Sequence, residues 1–215
     1  MKEEIRQAVR EHKLIAIVRG VDPELCVKVA QALYDGGIRL MEITYDQRRP
    51  DSWPETARAI GTLAERFAGR MYIGAGTVTC AELVELTHKA GGQFIISPDV
   101  NEEVICRTCE LGMVSMPGAM TPTEILTAHR AGADFVKLFP AGSLGPGYMK
   151  AVKAPVSQVE LLAVGGMDEK NVADYLAAGA VGVGVGGSLV DREWIAAGRF
   201  DKITEVARNL VAAVK

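Results

Sequence analysis

A lysine stands in the middle of GADFVKLFPAG, residues 132 to 142, one of the most apolar stretches of the chain. In an extended strand the period of two puts Phe135, Lys137 and Phe139 on one face and Val136 and Leu138 on the other. A face that packs under helices is normally aliphatic, so the face with Lys137 is expected to point into the interior. An amine held there is partly desolvated, which lowers its pKa and leaves more of the nucleophilic neutral form near neutral pH. Such an amine forms Schiff bases with ketones; the alternatives are a lysine that snorkels to the rim or one that pairs with a carboxylate for stability. A carboxylate with matching orientation is present in LMEIT, where Glu42 shares its face with Leu40 and Thr44. Schiff-base chemistry needs a group that moves protons, and a buried glutamate with a raised pKa meets that need. A plain salt bridge between Glu42 and Lys137 would bring the same two residues together.

These two residues sit in a recurring pattern. Short apolar runs appear at 14–20, 40–45, 71–76, 93–98, 113–118, 135–140, 161–166 and 181–186. Between them lie segments of helical period such as DPELCVKVAQALYDGG and TPTEILTAHRAGA, which open with a capping residue and close near glycine. Repeated strand–helix units predict a parallel sheet, and eight of them predict a (β/α)8 TIM barrel in an α/β single domain spanning 1–215. A doubly wound open sheet is the second choice; the near-regular spacing and the lack of an early GxGxxG count against it.

In a barrel of this kind, residues late in a strand or just beyond it face the active site. VGGMDEKN (164–171) and VGVGGSL (183–189) end the last two runs with glycines whose N–H groups are open to an anion, and phosphate binds there in many such barrels. Gly165, Gly166, Gly186, Gly187 and Ser188 are the candidate donors, although glycines also simply permit tight turns. Thr77 follows the third run, Ser97 and Pro98 close the fourth, and Arg19 closes the first, where it is able to meet a carboxylate with two hydrogen bonds.

Composition narrows the classes further. With 24 Lys+Arg against 27 Asp+Glu the chain carries a formal net charge of −3, and no concentrated basic face points to nucleic acid. The segment MKEEIRQAVREHK has charges throughout and does not read as a signal peptide. No uninterrupted apolar run is long enough to span a bilayer, so a cytoplasmic protein with no membrane partner is expected. Cys26, Cys80, Cys106 and Cys109 do not form a disulfide framework. The CRTC at 106–109 has no second pair and no nearby histidine, and His12, His88 and His129 are scattered, so no metal is expected.

The order of motifs IAIVRG, MEIT, GAGTVT, FIISPD, MPGAMTPTE, FVKLFPAG, AVGGM and GVGGSL, from about 14 to 190, resembles the class I family of 2-keto-3-deoxy-6-phosphogluconate (KDPG) and 4-hydroxy-2-oxoglutarate (KHG) aldolases. The resemblance implies a (β/α)8 barrel, a homotrimer, and a lyase that needs no metal or other cofactor. It assigns the Schiff base to Lys137, the acid/base role to Glu42, the pocket walls to Thr77, Pro98 and Phe139, and phosphate to the two glycine loops. The implied reaction cleaves KDPG to pyruvate and glyceraldehyde 3-phosphate, as in the Entner–Doudoroff route, with KHG cleavage to pyruvate and glyoxylate as a second activity. Two departures stand out. Many members carry a carboxylate-binding arginine where this chain has Asp46, leaving Arg48, Arg49 or Arg19 to substitute in a long loop from Asp46 to Pro54. The gluconate enzymes often have a hydroxyl residue where this chain has Val164, and the 2-keto-3-deoxy-6-phosphogalactonate branch looks more like AVGG. A phosphosugar epimerase or isomerase would use the same loops without a covalent lysine, and a non-catalytic phosphosugar-binding barrel would need neither Lys137 nor Glu42.

Overall fold

A computed structural model describes residues 1–215. All strands belong to one parallel sheet: β1 (Leu14–Val18), β2 (Leu40–Thr44), β3 (Tyr72–Gly76), β4 (Phe94–Ile96), β5 (Val114–Met116), β6 (Gly118–Ala119), β7 (Val136–Leu138), β8 (Leu161–Val164) and β9 (Ala180–Val185). Each of the eight apolar runs contains a strand, and the run at 113–118 yields two. Pro117 has no N–H to give to a ladder, which accounts for the break between β5 and β6.

The order β5-β4-β3-β2-β1-β9-β8-β7-β6 places the two halves of that broken run at opposite ends of the sheet. β5 pairs with β4 through Phe94↔Val114 and Ile96↔Met116, while β6 pairs with β7 through Gly118↔Lys137. Because only Pro117 separates the two, the sheet curls round on this segment, and the Lys137 N–H donates to the Pro117 carbonyl at 2.8 Å. The result is a nine-stranded, nearly closed parallel barrel.

Helices α2 (Pro23–Asp35), α3 (Trp53–Arg66), α4 (Ala81–Lys89), α5 (Glu102–Glu110), α6 (Pro122–Arg130), α7 (Ala141–Lys153), α8 (Val172–Ala177), α9 (Arg192–Ala196) and α10 (Phe200–Ala213) follow in turn, after an N-terminal α1 (Lys2–His12). Their starts follow capping chemistry. Asp22 accepts from the Glu24 N–H at 2.9 Å with Pro23 in the first turn, and Thr121 and Glu124 form a reciprocal capping box. Cys106 and Cys109 lie on α5 with their thiols toward the Ala131 and Gly132 carbonyls. No helix is long and apolar enough to cross a membrane.

The strands divide two cores by their period of two. Val136, Leu138, Met41 and Ile43 face the helices, whereas Phe135, Leu40, Ile15, Phe94 and Leu162 fill the inside. The inward faces expected from the sequence for the strands of Lys137 and Glu42 therefore hold. Helix α1 adds Ile5, Ala8 and Val9 to the inner core and stops one end of the barrel. It is fastened at the rim by Arg10, which donates twice to Glu160 at 2.8 Å just before β8, and by Lys2, which pairs with Asp134 at 3.0 Å just before β7. Filling this end leaves the other end as the only place for a cavity on the barrel axis. Ile5→Ala should cost about 2–5 kcal/mol, read by urea denaturation, since Ile5 is fully enclosed; a cost near zero would mean that α1 merely rests on the barrel.

Candidate active site

Strand ends converge at the open end. Arg19 follows β1, Glu42 lies within β2, Thr77 follows β3, Pro98 lies beyond β4, and Lys137 lies within β7 with Phe139 just after it. Gly165 and Gly166 follow β8, and Gly186, Gly187 and Ser188 follow β9. All of these residues line one cavity of about 840 Å³, so the structure brings together every site residue expected from the sequence. Ser97 is buried and does not line it.

Lys137 is 7% exposed and Glu42 2% exposed. Burial pushes the Lys137 amine down; Glu42 pulls the other way, and Arg19 adds to the depression. Burial pushes the Glu42 carboxyl up to about 7, with Lys137 and then Arg19 opposing it. The two side chains make no direct ion pair, and Glu42 Oε2 is buried without a hydrogen-bond partner. A carboxyl left in that state is poised to take or give a proton, and a carboxylate neutralised by direct contact is not. Room for it depends on Gly76, opposite Thr44 in the β2–β3 ladder: any Cβ there would meet Glu42 Oε1. The Lys137 Nζ lies 4.9 Å from the centre of the Phe139 ring, whose face stabilises a cation at that position.

Thr77 is held at φ 58°, a left-handed backbone that a β-branched residue rarely adopts. Its hydroxyl accepts from Arg19 Nη2 at 3.4 Å and its carbonyl from Gln47 Nε2 at 2.7 Å. The backbone strain is thus maintained at a cavity wall, where it orients a hydroxyl.

The glycine loops present donors because their acceptors are already used. The Gly165 carbonyl takes the Gly142 N–H at 2.8 Å, the Gly166 carbonyl takes Asn171 Nδ2 at 2.8 Å, and the Gly186 carbonyl takes the Leu189 and Val190 N–H groups at 2.9 Å. The N–H groups of Gly165, Gly166, Gly186, Gly187 and Ser188 donate to no protein acceptor. Unpaired N–H groups from two adjacent loops form an anion cradle. The Ser188 hydroxyl donates to the Met167 carbonyl at 2.7 Å, tying the loops together, so Ser188 offers the cavity its N–H, as the sequence suggests.

The replacement of the usual arginine by Asp46 also gains a geometry. Asp46 accepts from the Arg48 N–H at 2.9 Å and from Arg49 Nε at 3.4 Å, which hold its carboxyl below the usual range. Arg48 and Arg49 line a neighbouring cavity of about 760 Å³, outside the one that contains Lys137. Arg19 lines both, and so does Arg192, which the sequence reading did not single out. Arg192 is the first residue of α9, beyond the glycines and past the end of the β9 loop, so its distance from the strand end hides it in the sequence.

The burial of Glu42 has a consequence for stability. In the unfolded chain the carboxyl titrates near 4.5, below its folded value of about 7. Below the lower value it is protonated in both states and burial costs nothing in charge. Between the two values the unfolded state loses its proton first, so stability falls as pH rises, and above about 7 the full penalty stays. Glu42→Gln should therefore gain on the parent, by on the order of 3 kcal/mol, as chemical denaturation is moved from about pH 4 to about pH 8. A stability difference that is flat with pH would overturn the desolvation account.

The KDPG and KHG aldolase family model matches residues 5–206. The chain is 42% identical over 180 residues, 83% of this chain and 82% of the relative, to a probable 2-dehydro-3-deoxy-6-phosphogalactonate aldolase of Rhizobium meliloti. It is 34% identical over 212 residues, 98% of this chain and 97% of the relative, to a 2-dehydro-3-deoxy-phosphogluconate aldolase of Treponema pallidum. Among solved structures, the KDPG aldolase of Legionella pneumophila, with pyruvate captured at low pH as a covalent carbinolamine, superposes with a TM-score of 0.84 at 27% identity, covering 95% of this chain and 97% of that one. A match over nearly the whole barrel, including every strand end described above, makes this chain a member of the KDPG and KHG aldolase family, whose members are lyases.

Proposed function

We propose that this chain is a class I aldolase for 2-keto-3-deoxy-6-phospho sugar acids. The observation that carries the reading is a desolvated amine and a desolvated, unpartnered carboxyl that face one cavity without touching, beside a cradle of free N–H groups. The gap between Lys137 and Glu42 suits a substrate carbon or a bridging water.

In the proposed cycle the neutral Lys137 amine attacks the C2 ketone to give a carbinolamine, and loss of water gives an iminium. Glu42, directly or through water, removes the C4 hydroxyl proton; the C3–C4 bond breaks, its electron pair moves into the enamine, and the aldehyde leaves as glyceraldehyde 3-phosphate. Protonation at C3 and hydrolysis release pyruvate and restore Lys137. The glycine loops hold the phosphate, Thr77, Pro98 and Phe139 wall the reacting carbons, and Arg19 receives the substrate carboxylate. Of the three arginines open to that last role, Arg19 is supported because it alone lines the cavity of Lys137. The chemistry requires no metal or other cofactor. We further read the barrel as (β/α)8 with its fifth strand interrupted at Pro117, the domain as one unit over 1–215, the assembly as a homotrimer and the location as cytoplasmic.

Borohydride reduction in the presence of pyruvate, followed by peptide mass spectrometry, tests the mechanism. A stable pyruvyl adduct on Lys137 is expected, with none in Lys137→Arg; active protein that gives no adduct would remove the Schiff base. An epimerase on the same barrel would also give none.

Within this chemistry the galactonate epimer is favoured over the gluconate one by Val164, which lines the cavity and offers no hydrogen bond to a C4 hydroxyl. Val164→Thr should shift the ratio of kcat/KM values toward the gluconate epimer by roughly tenfold, about the net value of one hydrogen bond. A ratio unmoved by the substitution would place discrimination elsewhere in the cavity. Cleavage of KHG remains the secondary activity in this reading.

A further inference from the structure

We propose that Arg192 supplies the cationic contact to the substrate phosphate and so sets the preference of this chain for phosphorylated over unphosphorylated keto acids, an inference that rests on the aldolase reading. A phosphate monoester near neutral pH carries between one and two negative charges, whereas the N–H groups of Gly165, Gly166, Gly186, Gly187 and Ser188 are neutral donors. Desolvating such an anion calls for a cation as well. Three line the cavity: Lys137, Arg19 and Arg192. Lys137 is the amine that carries the chemistry, and Arg19 is turned toward β3, where it donates to Thr77. Arg192 remains, the first residue of α9, reached by the loop after β9 that displays Gly187 and Ser188.

Its surroundings fit a cation kept available. Asp168, Asp191 and Glu193 line the same cavity, yet Arg192 joins none of the ion pairs of the molecule. Two of those carboxylates are engaged elsewhere. Asp191 accepts from the Glu193 and Trp194 N–H groups at 2.7 and 3.0 Å, and Asp168 accepts from the Lys170 N–H at 2.9 Å. The guanidinium is nevertheless not free to wander. Nη2 donates to the Arg19 carbonyl at 3.3 Å, and it lies over Gly20, where a Cβ would approach within 2.6 Å and where φ is +62°. One nitrogen thus anchors the group at the mouth, and the remaining N–H groups are left for an oxyanion. This contact is separate from the glycine cradle in kind: the cradle supplies shape and hydrogen bonds, and Arg192 supplies charge.

The test compares a 6-phosphorylated substrate with its dephosphorylated counterpart in the parent, Arg192→Gln and Arg192→Lys. With Arg192→Gln, kcat/KM for the phosphorylated substrate should fall roughly 10- to 100-fold, the usual range for losing a charge-assisted hydrogen bond, mainly through KM. The dephosphorylated substrate should show a much smaller change, and Arg192→Lys should recover part of the loss. The KM for the phosphorylated substrate should also rise with salt in the parent more steeply than in Arg192→Gln, because the contact is exposed. Equal losses on both substrates would assign Arg192 a merely structural role through the Arg19 carbonyl, and no loss on either would exclude it from binding; both results overturn the proposal. Calorimetric titration with glycerol 3-phosphate, compared with glycerol, reads the same contact without turnover. Weakened binding of glycerol 3-phosphate in Arg192→Gln supports the proposal and unchanged binding overturns it. If pyruvate trapping fails while this difference in binding persists, the aldolase reading falls and the phosphate contact stands.

Discussion

The desolvation of two opposite charges that are kept apart is the constraint on which this molecule depends. Lys137 and Glu42 face the inside of a barrel whose other end is packed by Phe135, Leu40, Phe94 and the inward face of α1. Water has no route to them from that end. If the pair closed into a direct ion pair, each would be held in its charged form, and neither a nucleophilic amine nor a proton-accepting carboxyl of adjustable affinity would result. Separation avoids this, and backbone geometry enforces it: Lys137 is fixed by pairing with Gly118 and Leu162 on its two sides, and Glu42 by pairing with Ile17 and Gly74. Gly76 leaves space for the carboxyl where any larger residue would displace it.

The features proposed to bind anions are distributed around that pair according to their cost. Neutral N–H donors on the β8 and β9 loops need no counter-charge when the site is empty, and their carbonyls are satisfied by Gly142, Asn171, Leu189 and Val190. Full cations placed beside Lys137 would depress its amine further and pull Glu42 down, as Arg19 already does to both. The remaining arginines stand farther out. Arg48 and Arg49 face the neighbouring cavity with Asp46, and Arg192 stands at the shared rim.

Most of this arrangement was legible in the sequence because it is local. A period of two assigns a face to Lys137 and to Glu42 without knowledge of any other strand, and the glycines announce themselves at the ends of two apolar runs. What was not legible depends on contacts between distant segments. The pattern of α1 reads as an amphipathic helix with Ile5, Ala8 and Val9 on one side, but nothing in it says that this side stops a barrel. The run at 113–118 reads as one strand, and only its two partners, β4 and β7, reveal that it closes the sheet in two pieces around Pro117. Which arginine faces Lys137 in the absence of one at position 46 depended on the path of the loop from Asp46 to Pro54. Arg192 is exposed, is followed by another charged residue, and belongs to a short helix; its sequence neighbourhood resembles any solvated face.

The proposed cycle also explains why a buried pair of this kind tolerates covalent change. When the amine becomes an iminium, the nitrogen is positive at every pH, which favours the carboxylate form of Glu42 at the step where the C4 proton must leave. Cleavage turns the iminium into a neutral enamine, and Glu42 now holds the proton it has taken, so both partners lose their charge together. Protonation at C3 returns both charges at once. The summed charge of Lys137 and Glu42 therefore stays constant through the bond-breaking step, and the low-dielectric interior is never required to hold one charge without the other. A direct contact would have fixed the charged state and a greater separation would have uncoupled the two, so in the proposed cycle the geometry that excludes an ion pair is also the geometry that lets the proton and the electron pair move in step.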